Sequence, residues 1–269
     1  MHKMWELGIS CIYNDYSDSW ENGETPEGFS YVELSAGGHP VEDDCAREET
    51  VARYVKEYRI AKKQGLKLWS VHLPYGPGLD LNVEEGRSDE VFENFAFYVD
   101  AMTPFEPKCY VVHLWTSEPY EPKDRDAAVK VTNQNIKRFA EYVDSKGAFL
   151  AVEVLPRTNM GNTVEECMKL IAGTQAELCF DVNHLMQGTH KEFMEQAGSH
   201  VKTLHLSDYE FGDEEHWVPG EGKIDWKELL ELLEKYDYEG PLMFEVTKHK
   251  GGSNLQLRDI REGFYKALE

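Results

Sequence analysis

Eight short runs of apolar and β-branched residues recur along the chain, separated by longer stretches that are mostly amphipathic. The runs occupy residues 6–11, 30–34, 67–72, 109–113, 149–154, 178–182, 201–206 and 241–246. Short runs of this kind are typical of strands buried on both faces of a parallel sheet. Eight alternating βα units in 269 residues predict an α/β fold, a single closed (β/α)8 TIM barrel, which typically needs about 250 residues. We therefore expect one domain over residues 1–269.

Most stretches between the runs are predicted to be helices. Residues 45–64, 125–145 and 225–236 place apolar side chains among charged ones at helical spacing. Thr163, followed by two glutamates, and Asp225 are residue types that begin helices. The interval between the first two runs has no strong helical period. A doubly wound open sheet is the alternative, but no GxGxxG follows the first run and no P-loop is present.

The net charge of the chain disfavours some classes of binding partner. With 28 Lys and Arg against 50 Asp and Glu, the formal net charge is −22, a sign that repels nucleic acids and anionic membranes. Five cysteines with no CxxC spacing argue against a disulfide framework. Neither a signal peptide nor a stretch of roughly 20 apolar residues is present. We expect a soluble, cytoplasmic protein with no membrane and no nucleic-acid partner.

Ionisable residues lie at or near the C-terminal ends of nearly all the runs: Glu33, His72, His113, Glu153, Asp181, His205 and Glu245. In a (β/α)8 barrel these ends meet at one mouth, where active sites are built. A charge at the end of a buried strand is costly unless it is paired, hydrogen-bonded or bound to metal. A single histidine there is usually a core residue, but seven matched positions predict a site. Mixed His and carboxylate ligands suit Zn, Mn, Co or Mg.

Two loops add residues to this mouth. His184 follows Asp181 by three positions, close enough to turn back toward the site. The long loop after the seventh run carries Glu214 and His216 and then turns at residues 219–222. The neighbouring acids, Asp213 and Glu215, are interpreted as solvated loop residues.

Several segments together resemble a known family. They are VHLPYGPGLDLN, VVHLW, AVEVLPRTNMGNT, CFDVNHL, TLHLSDYE, EEHWVPGEGKIDW and FEV, in this order. The pairing of HLSD with HWVPGEGKIDW is the most specific of these. The chain resembles the xylose isomerase-like TIM barrel superfamily, which includes sugar phosphate isomerases and epimerases and endonuclease IV, over almost its whole length.

The resemblance implies a metal-dependent isomerase or epimerase of a small sugar or sugar phosphate. Its ligands would be Glu153, Asp181, His205 and Glu245, holding one divalent Mn, Mg, Co or Zn ion. Such a metal stabilises the enediolate formed when a proton leaves the sugar. Glu153 and Glu245, on strands well apart in a barrel, are the candidate catalytic acid and base. Substrate binding would fall to His72, His113, His184, His216 and Trp115, with Tyr75 and Trp217 able to stack on a sugar face.

Two alternatives stay open. Endonuclease IV uses nine ligands for three zinc ions, and all nine matching positions here are His, Asp or Glu, with Glu214, a possible additional metal ligand, where aspartate is expected. The mouth loops are acidic or neutral, which argues against DNA. The other alternative is an inosose dehydratase-like lyase, since His216 replaces an arginine usual in ketose 3-epimerases, or a non-catalytic sugar-binding barrel, whose signature would be the loss of a metal ligand. Lys248 and Lys250 raise the question of a phosphorylated sugar, and the resemblance allows a homo-oligomer.

Overall fold

Eight strands in the described part of the chain run parallel in one sheet. The computed structural model describes residues 4–11, 26–35, 44–76, 78–83, 87–114, 121–252 and 254–269. The strands are β1 (Leu7–Ser10), β2 (Phe29–Ser35), β3 (Lys67–His72), β4 (Cys109–Val112), β5 (Phe149–Glu153), β6 (Glu177–Asp181), β7 (Val201–His205) and β8 (Leu242–Phe244). Each lies within two residues of a predicted run, because short apolar runs have little freedom in where they can be buried.

The sheet curves into a nearly closed barrel. Its strand order is β7-β6-β5-β4-β3-β2-β1-β8. Leu206, just beyond β7, closes the gap to β8: its N–H donates to Met243 O at 2.9 Å, and Glu245 N–H donates to Leu206 O at 3.0 Å. The predicted (β/α)8 barrel is therefore confirmed.

Seven helices are present in the described part of the chain. They are α1 (Asp44–Lys63), α2 (Ser88–Met102), α3 (Arg125–Asp144), α4 (Val164–Ile171), α5 (His190–Ala197), α6 (Trp226–Lys235) and α7 (Leu257–Ala267). Thr163 and Asp225 begin α4 and α6 as predicted, each accepting a backbone N–H of the first turn. The interval with no helical period, at residues 12–25, lies outside the described residues.

Cysteine, valine and alanine side chains occupy the barrel interior on the N-terminal side of the ionisable strand-end residues. Cys109, Val111, Ala151 and Cys179 form a buried cluster, distinct from the large apolar core that includes the buried faces of the helices. Because alternate strand residues face inward, the next inward positions on β5 and β6 are Glu153 and Asp181. The barrel interior is thus apolar around this cluster, against which Trp69 and Phe149 pack, and becomes polar toward the C-terminal ends of its strands.

The described residues contain no helix with the length and apolar character needed to span a membrane. Four cysteines, Cys11, Cys109, Cys167 and Cys179, are buried free thiols.

Candidate functional site

The ionisable residues predicted at the strand ends converge at the C-terminal mouth of the barrel. Six of them are almost wholly buried: Glu33, His72, Asp181 and His205 are 0% exposed, Glu153 1% and Glu245 2%. The seventh, His113, lies in contact with Glu153. Burial of so many ionisable groups requires that they compensate one another or bind a cation.

Four of these residues surround one point. The Nδ1 atom of His205 lies 3.2 Å from Glu153 Oε1, 3.3 Å from Glu245 Oε2 and 3.9 Å from Asp181 Oδ2. The donor atoms of all four residues lie within 4.8 Å of one another. These are the four residues that the family resemblance implies as metal ligands.

Three of the four donor atoms lack any hydrogen bond. Asp181 Oδ2, His205 Nδ1 and Glu245 Oε2 are buried and have no hydrogen-bond partner among the described residues. Leaving several buried polar atoms unsatisfied is costly. Carboxylate and imidazole atoms that converge in this way are donors suited to a divalent cation. The residues present therefore fit a metal ion.

The two glutamates of this group have opposite pKa shifts. Burial raises the pKa of Glu245 well above its usual value, with His205 opposing the shift and Asp181 adding to it. Burial also acts to raise the pKa of Glu153, but His113 and His205 lower it overall to well below its usual value. Carboxyl groups whose environments separate their pKa values in this way are suited to different acid and base roles.

The second oxygen of Glu153 faces two more histidines. Its Oε2 atom lies 3.0 Å from Nε2 of both His72 and His113. The other ring nitrogen of His72 lies 2.9 Å from Leu73 O. Both ring nitrogens of His72 therefore face oxygen atoms. Tyr75 stacks on His113 with a ring separation of 4.2 Å.

His184 lies beside both His216 and Glu214. Nδ1 of His184 lies 2.9 Å from Val154 O, and Nε2 lies 3.2 Å from Glu214 Oε2. The contact with His184 is the main reason that the pKa of Glu214 falls to about 2. Asp181, His184 and His216 have donor atoms within 4.8 Å of one another.

The loop after β7 is anchored by a buried aspartate that does not face the site. Asp208 accepts hydrogen bonds from the backbone N–H groups of Tyr209 (2.9 Å), Gly220 (2.7 Å) and Ile224 (3.1 Å). Its Oδ2 atom also accepts from Trp226 Nε1 at 3.1 Å. The most specific part of the sequence motif, HLSD with PGEGKIDW, therefore shapes the loop that carries His216.

Asn183 is a site residue that the sequence reasoning missed. Its side-chain amide donates to Ser207 Oγ at 3.1 Å and to Asp208 O at 3.0 Å, and its Oδ1 accepts from Glu215 N–H at 2.7 Å. Asn183 thus joins the end of β6 to the loop after β7. Its position between Asp181 and His184 was the available sequence signal.

Asp213 is exposed and Glu215 is half-buried, and both residues, interpreted as solvated loop residues, also form ion pairs. Asp213 lies 2.8 Å from Arg157, which also lies 3.2 Å from Glu214. Glu215 lies 3.0 Å from Lys248.

Of the aromatic and basic residues that the sequence suggested near the barrel mouth, some contact loop residues and one is not described. Lys250 pairs with Glu210 and covers the ring of Trp217 at 4.7 Å. Trp217 itself is only 8% exposed, so it packs beneath the loop. Trp115 falls in residues 115–120, outside the described residues.

Comparison with known proteins identifies relatives. The model of a family described as xylose isomerase-like TIM barrel matches residues 27–267. The D-psicose 3-epimerase of Ruminiclostridium cellulolyticum is 25% identical over 257 residues, covering 88% of this chain and 81% of that protein.

Solved structures share the fold at lower identity. A D-psicose 3-epimerase crystallised in the presence of D-fructose superposes with a TM-score of 0.76 at 18% identity, covering 98% of this chain and 96% of the other. A 3-keto-D-glucoside 4-epimerase from E. coli gives a TM-score of 0.75 at 15% identity, covering 98% and 99%. The likeness extends over the whole barrel.

Proposed function

This chain belongs to the xylose isomerase-like TIM barrel family, and from that premise we propose that it is a metal-dependent sugar epimerase or isomerase. One observation carries the proposal: Asp181 Oδ2, His205 Nδ1 and Glu245 Oε2 are buried without hydrogen-bond partners and converge beside Glu153. Two curated relatives named D-psicose 3-epimerase match 88% and 84% of this chain at 25% and 24% identity, which supports epimerisation as the proposed reaction. The proposal keeps one domain over residues 1–269 and a cytoplasmic location, and it allows a homo-oligomer.

The chemistry needs a proton removed from one face of a carbon beside a carbonyl group and returned to the other face. Glu153 on β5 and Glu245 beyond β8 reach the site from different sides, lying 3.2 and 3.3 Å from the same His205 nitrogen. One carboxylate removes the proton and the other carboxyl group returns one. A bound divalent ion would polarise the carbonyl group and stabilise the enediolate.

Four histidines surround the place where the sugar would bind. His72 and His113 lie on the Glu153 Oε2 side, and His184 and His216 lie with Glu214 on the other. We propose that these imidazoles donate to and accept from the sugar hydroxyl groups. Trp115 stays a proposed contact.

We propose further that the sugar is unphosphorylated. Barrels often bind phosphate at the loops after strands seven and eight. In the described part of those loops, Asp208 already accepts from backbone groups that a phosphate would otherwise use. The nearby cations Lys248 and Lys250 pair with acids of the same loops.

Phosphodiester hydrolysis by a multi-zinc site is the second candidate. It is favoured by the further donor groups, His72 with Glu153 and His205, and Asp181 with His184 and His216. Binding of a nucleic-acid backbone needs cations directed at phosphates. Because Arg157 pairs with Asp213 and Glu214 and the mouth loops are acidic or neutral, sugar chemistry is the better-supported proposal. The complete set of four donors also argues against a non-catalytic barrel.

Elemental mass spectrometry of protein purified without chelator tests the metal. We expect about one Mn, Mg, Co or Zn per chain. Two or three Zn per chain together with cleavage of a phosphodiester would overturn the proposal in favour of the second candidate.

Proton exchange with solvent then tests the reaction. Free ketoses incubated in deuterated water should gain deuterium at the carbon beside the carbonyl in both epimers. Glu153→Gln and Glu245→Gln should each slow epimerisation by about 10²–10⁴-fold, each retaining exchange in one epimer only. Loss of water without epimer formation would indicate a lyase instead.

A further inference from the structure

Among the described residues, Glu33 is the buried strand-end carboxylate that lies behind the proposed metal ligands rather than among them. It lies in β2 and is 0% exposed. Its Oε1 atom is 3.0 Å from Nε2 of His205, whereas Glu153 and Glu245 lie on the Nδ1 side of the same ring. The ring of His205 is thus held between Glu33 and the cluster of proposed ligands.

Glu33 and His205 approach each other without an aligned hydrogen bond. Glu33 Oε1 and His205 Nε2 lie 3.0 Å apart, and neither atom has a hydrogen-bond partner among the described residues. The second oxygen of Glu33 accepts a hydrogen bond from Ser70 Oγ at 2.6 Å, and Ser70 is also 0% exposed. Ser70 therefore restrains the carboxylate so that one oxygen remains directed at the imidazole.

This arrangement selects the form of the imidazole that a metal needs. A neutral imidazole carries one proton, and the nitrogen without it is the one that can bind a cation. A carboxylate beside Nε2 favours a proton there, which leaves the lone pair on Nδ1. Carboxylates placed in this way behind metal-binding histidines orient the ring and increase its basicity.

We infer that Glu33, restrained by Ser70, is a positioning residue that directs His205 Nδ1 toward the metal. The inference rests on the proposed function, because it requires a cation at the four-residue site. The competing explanation is that Glu33 only fills the barrel interior. In that case its replacement would change the stability of the apoprotein but not the affinity for metal.

Binding of Mn²⁺ to chelator-treated protein, measured by calorimetry, separates these explanations. Glu33→Ala should weaken Mn²⁺ binding by about 10–100-fold. Glu33→Gln should restore part of this loss, since its amide oxygen can still lie beside Nε2–H without the negative charge. Glu57→Gln is the matched control: Glu57 is a carboxylate that is 2% exposed but pairs with Arg53 on α1, so Mn²⁺ affinity should stay at the wild-type value.

Thermal melting of each apoprotein reports folding independently of metal. If Glu33→Ala does not fold, Glu33→Gln provides the test instead, because glutamine has nearly the same shape as glutamate. Glu33→Gln should bind Mn²⁺ several-fold more weakly than wild type. The ¹⁵N shifts of the His205 ring, identified by their loss in His205→Gln, should show the Nε2–H form in wild type and a mixed population in the folded Glu33 variant.

Two negative results have different meanings. Wild-type Mn²⁺ affinity in a folded Glu33 variant would overturn this inference and leave the proposed function standing. A wild-type protein that binds neither Mn²⁺ nor another divalent ion would overturn both.

Discussion

The carboxylate of Asp208 and the backbone of Gly222 pack so closely that no side chain fits between them. A Cβ atom on Gly222 would overlap Asp208 Oδ1 and lie 2.5 Å from Tyr209 N. Asp208 in turn accepts the N–H groups of Gly220 and Ile224, on either side of Gly222. A single buried carboxylate therefore holds the turn that follows His216.

Gly222→Ala should destabilise the protein by overpacking this turn. We expect about 1–3 kcal/mol, measured as a lower midpoint of thermal or urea unfolding, with loss of activity because His216 shifts. Gly212→Ala is the matched control, since a Cβ on Gly212 meets nothing within 4 Å, and it should stay within about 0.5 kcal/mol of wild type. Equal stability of the two variants would contradict this account of the loop.

Asp181→Asn should weaken metal binding without lowering the stability of the apoprotein. The change removes a proposed metal ligand. It also removes a negative charge that repels the carboxylate of Glu245 and raises its pKa. We expect a loss in affinity of at least about 100-fold, exceeding the effect typical of residues behind the ligands. Glu177→Gln, at the opposite end of β6, should bind metal normally. Unchanged affinity in Asp181→Asn would exclude this residue as a ligand.

Arg157→Ala should lower catalytic activity more than it lowers the stability of the fold. Arg157 pairs with Asp213 and Glu214, and Glu214 contacts His184. Exposed ion pairs contribute about 1 kcal/mol or less, so unfolding should change little. We expect roughly a tenfold fall in kcat/KM, equivalent to about 1.4 kcal/mol.

The control for Arg157 is Arg138→Ala, because Arg138 pairs with Asp89 on the outer helices. Arg138→Ala should alter stability alone. A normal kcat/KM in Arg157→Ala would show that the ion pairs do not support His184.

Stability should depend on pH through His249. Its ring lies 2.7 Å from Glu221 and 3.3 Å from Asp259, and the hydrogen bond with Glu221 is the main reason that its pKa is raised. A raised pKa in the folded state stabilises the protein fully below the unfolded value of about 6.5. This stabilisation is lost as the pH rises through the folded pKa.

Melting curves of wild type and His249→Gln between pH 5 and 9 measure this contribution. The wild type should melt higher at pH 5, by up to about 2–4 °C for a contribution of up to about 1 kcal/mol. The difference should shrink as the pH approaches 9. A difference that is constant over this range would mean that the charge of His249 contributes nothing.

Much of the barrel could be predicted from local patterns. The predicted helix at 125–145 is observed at Arg125–Asp144, and the predicted strand at 201–206 is observed at Val201–His205. The reason is that burial of one face of a strand or helix requires apolar residues to recur at a fixed spacing, and this spacing can be seen in the sequence. The same periodicity predicted that Glu153 and Asp181 would lie at the barrel mouth.

The arrangement of the site depended on contacts between residues far apart in the chain. The sequence placed Glu33 at the end of a strand, but only the closed barrel brings it to His205, 172 positions later. Local pattern also could not show that Asp208 anchors a loop, or that Lys248 pairs with Glu215. Strand positions follow from the local period of burial, whereas the direction and partner of each polar atom follow from how the loops and strands pack around it.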